Sequence, residues 1–262
     1  MNELLRRVGE EQLAGFVLVL ARLSPLFLVA PPFSSRMIPP RVKGIIAVAL
    51  AIGIAPIALR GPDGGHVPTD VLALGALVVK EMLVGLAFAF AVATVFAAVS
   101  TAGSLLDTII GFSFGALVDP VTGVNASVLA QAYSMFGALV FLTIGGDAWV
   151  VQGIARTYDL VGLLAYPSLD SLIGGAVHAF TTIFVAALEL AAPVLLALLV
   201  TDAGFGVVSR VVPQLNVFAV ALPAKVVVGL LILAASLPFA AGWIAGELQR
   251  SVGSALQTLR IA

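Results

Sequence analysis

Apolar residues along this chain fall into long runs, which are separated by short connections rich in proline, glycine or charge. An α-helix needs about 20 apolar residues to cross a bilayer, and about six runs approach that length. The runs are Leu13–Ala30, Gly44–Leu59, Val71–Leu106, Ala126–Ile144, Leu172–Val200 and Val217–Ala241. The pattern predicts an all-α, multi-pass membrane protein whose helices, some broken and some paired in hairpins, form one membrane-embedded domain over residues 1–262.

The connections between these runs also follow a pattern. A proline-rich basic turn covers residues 31–43, and a polar linker covers residues 60–70. We expect an interfacial, amphipathic stretch over residues 149–170, an irregular segment over residues 201–216 and a polar, helix-like tail from Gly242. Basic residues do not alternate between successive connections, so the positive-inside rule assigns no topology.

The amino-acid composition argues against several classes of protein. Hydrophobic residues make up 61% of the chain and charged residues 10%, whereas soluble domains carry about 25% charged residues. The net charge of −1 argues against a nucleic-acid partner, which requires a basic face. The chain has no cysteine and no metal or phosphate motif, so we expect no cofactor.

Five charged residues lie inside apolar runs: Arg22, Lys80, Glu81, Glu189 and Lys225. Each would cost roughly 2.5–3.5 kcal/mol at a bilayer centre, so most of them must face protein or water, and we treat all five as candidate subunit contacts. Helix neighbours point about 100° apart. On that ground we predict that Lys80 and Glu81 do not pair with each other.

A central loop, residues 107–125, separates the two longest charge-free runs. Its glycines and the Asp119-Pro120 pair disfavour a continuous helix. Bulky apolar side chains on a segment able to move would suit a hydrophobic gate in a pore. The predicted gate residues are Ile109, Ile110, Gly111, Phe112, Phe114, Gly115, Leu117, Asp119 and Pro120.

Three blocks of the sequence resemble one family, the FliR subunit of the flagellar type III export gate and its virulence-secretion relatives. The first is the Arg22 segment with its basic turn, and the second is the central loop. The third runs from AAPVLLALLV to PQLNVF and adds Arg210, Pro213, Gln214, Asn216 and Phe218 to the candidate subunit contacts. Two acids, Asp147 and Asp202, depart from the family pattern.

The resemblance implies a function without chemistry. Members of this family form a helical pore with FliP and FliQ homologues, associate with an FlhB homologue, and sit within the basal-body ring of the bacterial inner membrane. Unfolded proteins cross through the pore, and membrane lipid surrounds it. Residues 1–170 look FliP-like, and residues 171–262 resemble the FliQ hairpin.

Three alternatives stay open at this point. A virulence secretion system would use a similar subunit. A secondary transporter would place an ion site at Glu189, Lys225 and Asp202 on broken helices. A hydrolase would use Gly111–Gly115 as a G-x-S-x-G elbow, but that motif requires a strand–turn–helix setting, and helical runs flank it here.

Overall fold

The computed structural model describes residues 2–59, 67–68, 70–112, 127–212, 214 and 216–260. Across these ranges the chain forms seven α-helices and no strand. The helices are α1 (Asn2–Val29), α2 (Pro40–Ala58), α3 (Val71–Ile110), α4 (Val128–Thr143), α5 (Gly146–Leu160), α6 (Leu169–Val211) and α7 (Val217–Arg260).

Five of these helices are long and apolar enough to cross a membrane, and a sixth span results if α4 and α5 cross together. The predicted fold class, an all-α membrane protein with about six apolar segments, is therefore confirmed for the described part of the chain. The prediction that residues 1–170 and 171–262 resemble two different partner subunits stays a prediction.

Local sequence sets where several helices begin and end. Pro40 occupies the first turn of α2, where the missing N–H costs nothing. The Ser127 side chain accepts a hydrogen bond from the Ala130 N–H and caps α4. Gly111 (φ 107°) follows α3 and Gly145 (φ 68°) precedes α5. Only glycine adopts such positive φ values without strain, so each one fixes a helix boundary.

One predicted break near the C-terminus is wrong. The stretch predicted to be irregular, residues 201–216, is helical as far as Val211. The tail from Gly242 is helical, as predicted, and it continues α7 to Arg260. In apolar surroundings a helix satisfies its own backbone hydrogen bonds. That gain outweighs the low helix propensity of Gly204 and Gly206, which lie inside α6.

The chain divides into two compact units. Unit 1 contains residues 1–94, 145–180 and 248–262, and unit 2 contains residues 95–144 and 181–247. In unit 1, Val84, Val161 and Leu259 form one buried cluster. In unit 2 a larger cluster packs α3, α4, α6 and α7 around residues that include Leu106 and Leu190.

Helices α1 and α3 approach each other closely at Gly85 in unit 1. A Cβ atom added at Gly85 would overlap the carbonyl oxygen of Arg22. Gly75, in the same helix, has nothing within 4 Å of the same position. The absence of a side chain at Gly85 therefore permits the contact between backbones that brings Arg22 against α3.

We expect Gly85→Ala to destabilise the protein by about 2 kcal/mol or more, because the new methyl group displaces backbone rather than a flexible side chain. Gly75→Ala is the matched control and should be neutral or stabilising by up to about 1 kcal/mol, from its higher helix propensity. Thermal denaturation of detergent-extracted protein measures both. Equal stabilities for the two variants would contradict a tight α1–α3 contact.

Candidate functional site

A buried ion pair lies at the centre of unit 1. Arg22 on α1 and Glu81 on α3 are both 0% exposed. The Arg22 guanidinium donates through Nε to Oε2 of Glu81 and through Nη2 to Oε1 at 2.9 Å. This two-pronged geometry matches a guanidinium to a carboxylate and is the strongest ionic arrangement available to these side chains.

The other face of Arg22 reaches α5. Its Nη1 atom donates to Oγ1 of Thr157 at 3.0 Å, and its Nη2 atom donates to the carbonyl oxygen of Val161 at 2.9 Å. The guanidinium carbon also lies 3.9 Å from the centre of the Tyr158 ring, within range of a cation–π interaction. One side chain thus joins α1, α3, α5 and the loop after α5. Tyr158, which belongs to the stretch expected to be interfacial, is buried within unit 1.

Lys80 completes this cluster of buried charges. Its Nζ atom donates to the carbonyl oxygens of Gly162 (3.1 Å) and Leu163 (2.8 Å), and it also forms an ion pair with Glu81. The prediction that Lys80 and Glu81 do not pair is therefore wrong. It considered only the directions of the Cβ atoms, whereas the flexible four-carbon stem of lysine reaches around the helix.

The remaining two predicted charges lie in unit 2. Lys225 on α7 pairs with Asp202 on α6 at 2.9 Å, with exposed side-chain fractions of 19% and 48%. Asp202, a departure from the family pattern, thus serves as the counterion of Lys225. Glu189 on α6 accepts one hydrogen bond from Nε1 of Trp243 at 3.3 Å. Among the described residues, no group of three or more acids, histidines or cysteines could hold a metal ion.

Of the predicted gate residues, the structure describes four. Ile109 and Ile110 belong to the last turn of α3 rather than to a loop. Ile110 is buried and lies so close to Gly229 that an added Cβ there would be 2.8 Å from its Cγ1 atom. Ile109 and Phe112 are partly exposed, 37% and 36%. Phe114, Gly115, Leu117, Asp119 and Pro120 lie outside the described residues.

The two helices on either side of the central loop, α3 and α4, are held together within unit 2. Oδ1 of Asp107, near the end of α3, accepts a hydrogen bond from the Leu129 N–H at 3.1 Å, and Asp107 is 3% exposed. One turn earlier, a Cβ atom at Gly103 would overlap the backbone of Ala130. Asp107 therefore fixes the start of α4 against α3. This acid was predicted to lie in the loop, and its anchoring role was not predicted, although its position at the end of a charge-free run could have indicated it.

The C-terminal candidates lie around the turn between α6 and α7. Arg210 occupies the last turn of α6, where a cation favours the negative end of the helix dipole. Asn216 caps α7, since its Oδ1 atom accepts a hydrogen bond from the Ala219 N–H at 3.3 Å. Gln214 is exposed. Pro213 and the Phe218 side chain lie outside the described residues, and all five positions stay predicted subunit contacts.

Comparison with known proteins identifies the family of this chain. A family model described as "Bacterial export proteins, family 1" matches residues 13–251. The chain belongs to this family. The flagellar biosynthetic protein FliR of Escherichia coli (strain K12) is 33% identical over 222 residues, covering 85% of this chain and 84% of that protein.

Two further relatives extend the comparison. The FliR protein of Bacillus subtilis (strain 168) is 30% identical, with 84% of each chain covered. The surface presentation of antigens protein SpaR of Shigella flexneri is 30% identical, with 82% of each covered. These matches confirm the resemblance stated from the sequence. With five apolar helices long enough to span a membrane, they make the chain a multi-pass inner-membrane subunit of a bacterial type III export apparatus.

We expect Glu81→Ala to destabilise the protein by about 3–5 kcal/mol, because it leaves the buried Arg22 guanidinium without its counterion. Glu81→Gln keeps an acceptor oxygen and most of the volume, so its effect should be smaller. Asp202→Ala is the matched control: it removes one acid from a partly exposed pair, which is worth about 0–1 kcal/mol. Denaturation of detergent-extracted protein measures all three, and similar losses for Glu81→Ala and Asp202→Ala would refute the central role of the Arg22 pair.

Proposed function

We propose that this chain is a non-enzymatic subunit of the flagellar type III export gate. With FliP and FliQ homologues it forms a pore through the inner membrane, beside an FlhB homologue and within the basal-body ring. Unfolded flagellar proteins cross through that pore during flagellum assembly. Membership of the export family over residues 13–251 is the observation that carries the proposal.

The surface of the helices supports a subunit of a larger assembly. Large apolar side chains are exposed along α6 and α7, among them Leu196 (63%), Val200 (74%) and Leu231 (64%). In the most apolar stretch of α7, only 6% of the residues are buried against the rest of the chain. Apolar surface of this extent requires cover by lipid or by other subunits.

The buried charges fit the same proposal. Arg22, Glu81 and Lys80 are satisfied inside unit 1, so these three charges can lie in an apolar environment without an uncompensated charge among them. Lys225 and Asp202 pair with each other. This pairing argues against a transporter site, because such a site would leave Lys225 and Asp202 free to bind an ion.

A second candidate function is the equivalent subunit of a virulence secretion system. The observation that favours it is the similarity to SpaR of Shigella flexneri, at 30% identity. The identity to FliR of Escherichia coli is 33%, and the match covers a similar share of each chain. The flagellar assignment is tested by deleting the gene, since loss of motility with intact virulence secretion supports it and the reverse outcome supports the alternative.

Within the pore we propose that the central loop forms the gate. Helix α3 ends at Ile110, and Phe112, after Gly111, is partly exposed. The Asp107 bond to Leu129 joins α3 to α4, the two helices that flank the loop. Because α3 and α4 are joined, they would stay in place while the proposed gate segment between them moves.

We expect the chain to depend on its partners for stability. Expressed alone it should aggregate or be degraded, because its exposed apolar helices have no cover, and co-expression with FliP and FliQ homologues should rescue it. Size-exclusion chromatography and yield in detergent provide the measurement. A well-behaved monomer obtained without partners would contradict the gate proposal.

For the gate, we expect the double variant Phe112→Ala with Phe114→Ala to leak ions while still assembling, because a hydrophobic barrier loses its bulk. Gly111→Val should lower export without leakage, since valine disfavours the positive φ of this position. Ion leakage in cells, measured beside secretion of an export substrate, distinguishes the two effects. Normal sealing and normal export by an assembled double alanine variant would show that these phenylalanines only pack.

A further inference from the structure

Glu189 differs from every other charge that the sequence places inside an apolar run. Arg22 and Lys80 each pair with Glu81 within unit 1, and Lys225 pairs with Asp202. Glu189 has no cationic partner among the described residues. Its carboxylate accepts a single hydrogen bond, 3.3 Å long, from the neutral indole N–H of Trp243.

A carboxylate offers about four acceptor positions on two oxygens, so one long bond leaves Glu189 poorly satisfied. Its surroundings supply no compensation. Glu189 is itself exposed, and it lies on α6 between Val185, which is 54% exposed, and Leu196, which is 63% exposed. Residues four before and seven after a helical position share its face. The carboxylate therefore interrupts an otherwise apolar stripe.

Neither lipid nor open water suits this stripe. A carboxylate facing hydrocarbon is costly, which is why ionisable groups in membrane helices turn towards partner groups. A water-filled channel would solvate Glu189 but would also wet Val185 and Leu196. A neighbouring protein helix suits both the apolar side chains and the carboxylate. Its own apolar side chains cover Val185 and Leu196, and one cation or strong hydrogen-bond donor on it pairs with Glu189.

We propose that the Glu189 stripe, defined by Val185, Glu189 and Leu196, docks an apolar helix of a different subunit, which places a lysine or arginine against Glu189. An apolar helix of a second copy of this chain is a poor source of that cation, because the basic residues inside its apolar runs, Arg22, Lys80 and Lys225, already have partners. Trp243 holds the carboxylate in position from α7. This inference rests on the proposed function, in that it assigns the partner chemistry of one face of the gate subunit.

The test begins in cells that contain all native partners. A photo-crosslinking amino acid at Val185 should capture one protein, through a peptide from an apolar helix that contains lysine or arginine. Adducts with lipid only, no adduct, or a peptide without a basic residue would each overturn the proposal. Wild-type co-purification with FliP and FliQ homologues is scored separately, so a failure of the proposed function is seen independently of the Glu189 result.

A second experiment exchanges the two charges across the proposed contact. In the co-expressed complex, Glu189→Lys should lower recovery of the partner by about tenfold or more, since it opposes two cations in an apolar contact, and Glu189→Gln should lower it less. Replacing the captured lysine or arginine by glutamate should restore recovery with Glu189→Lys. Trp243→Phe is the control for the intrachain bond alone and should have a smaller effect than Glu189→Lys. Wild-type recovery with Glu189→Lys, or no rescue by the exchange, would reject the docking assignment.

Discussion

Arg22 brings a full positive charge into the interior of unit 1, and the surrounding helices are arranged to satisfy it. Glu81 supplies the counterion from α3, and Thr157 and Val161 supply oxygens from α5 and the loop after it. Gly85 permits the close contact of backbones that this geometry needs. Because removal of one partner from a buried pair costs several kcal/mol, the packing of α1, α3 and α5 depends on this one interaction.

The two units handle charge differently. Unit 1 satisfies Arg22, Lys80 and Glu81 internally and keeps them away from its surface. Of the charges that the sequence places inside apolar runs, unit 2 carries the partly exposed Lys225–Asp202 pair and Glu189, which accepts a hydrogen bond from a neutral donor. A charge satisfied inside the chain stabilises the fold, whereas a charge left on an apolar face selects what docks there. In unit 2, Glu189 marks the face of α6 that we propose as a docking surface.

The gate proposal rests on fixed supports around a short segment. Asp107 joins the end of α3 to the start of α4, and Ile110 is packed against Gly229 of α7. Phe112, two residues further on, is already partly exposed. Anchors of this kind would let the proposed gate move without repacking the core.

Long apolar runs were sufficient to predict an all-α membrane protein with about six segments, because a span of about 20 apolar residues has few alternatives. The charges inside those runs also identified which residues needed partners. Only the tertiary structure decided which partner each one has, since Arg22 and Glu81 are 59 residues apart in the chain and no local pattern encodes their contact. Side-chain reach likewise decided the Lys80–Glu81 pair. The helical continuity of α6 and α7 depended on the apolar setting, which favours unbroken backbone hydrogen bonding where glycine and proline predict a break.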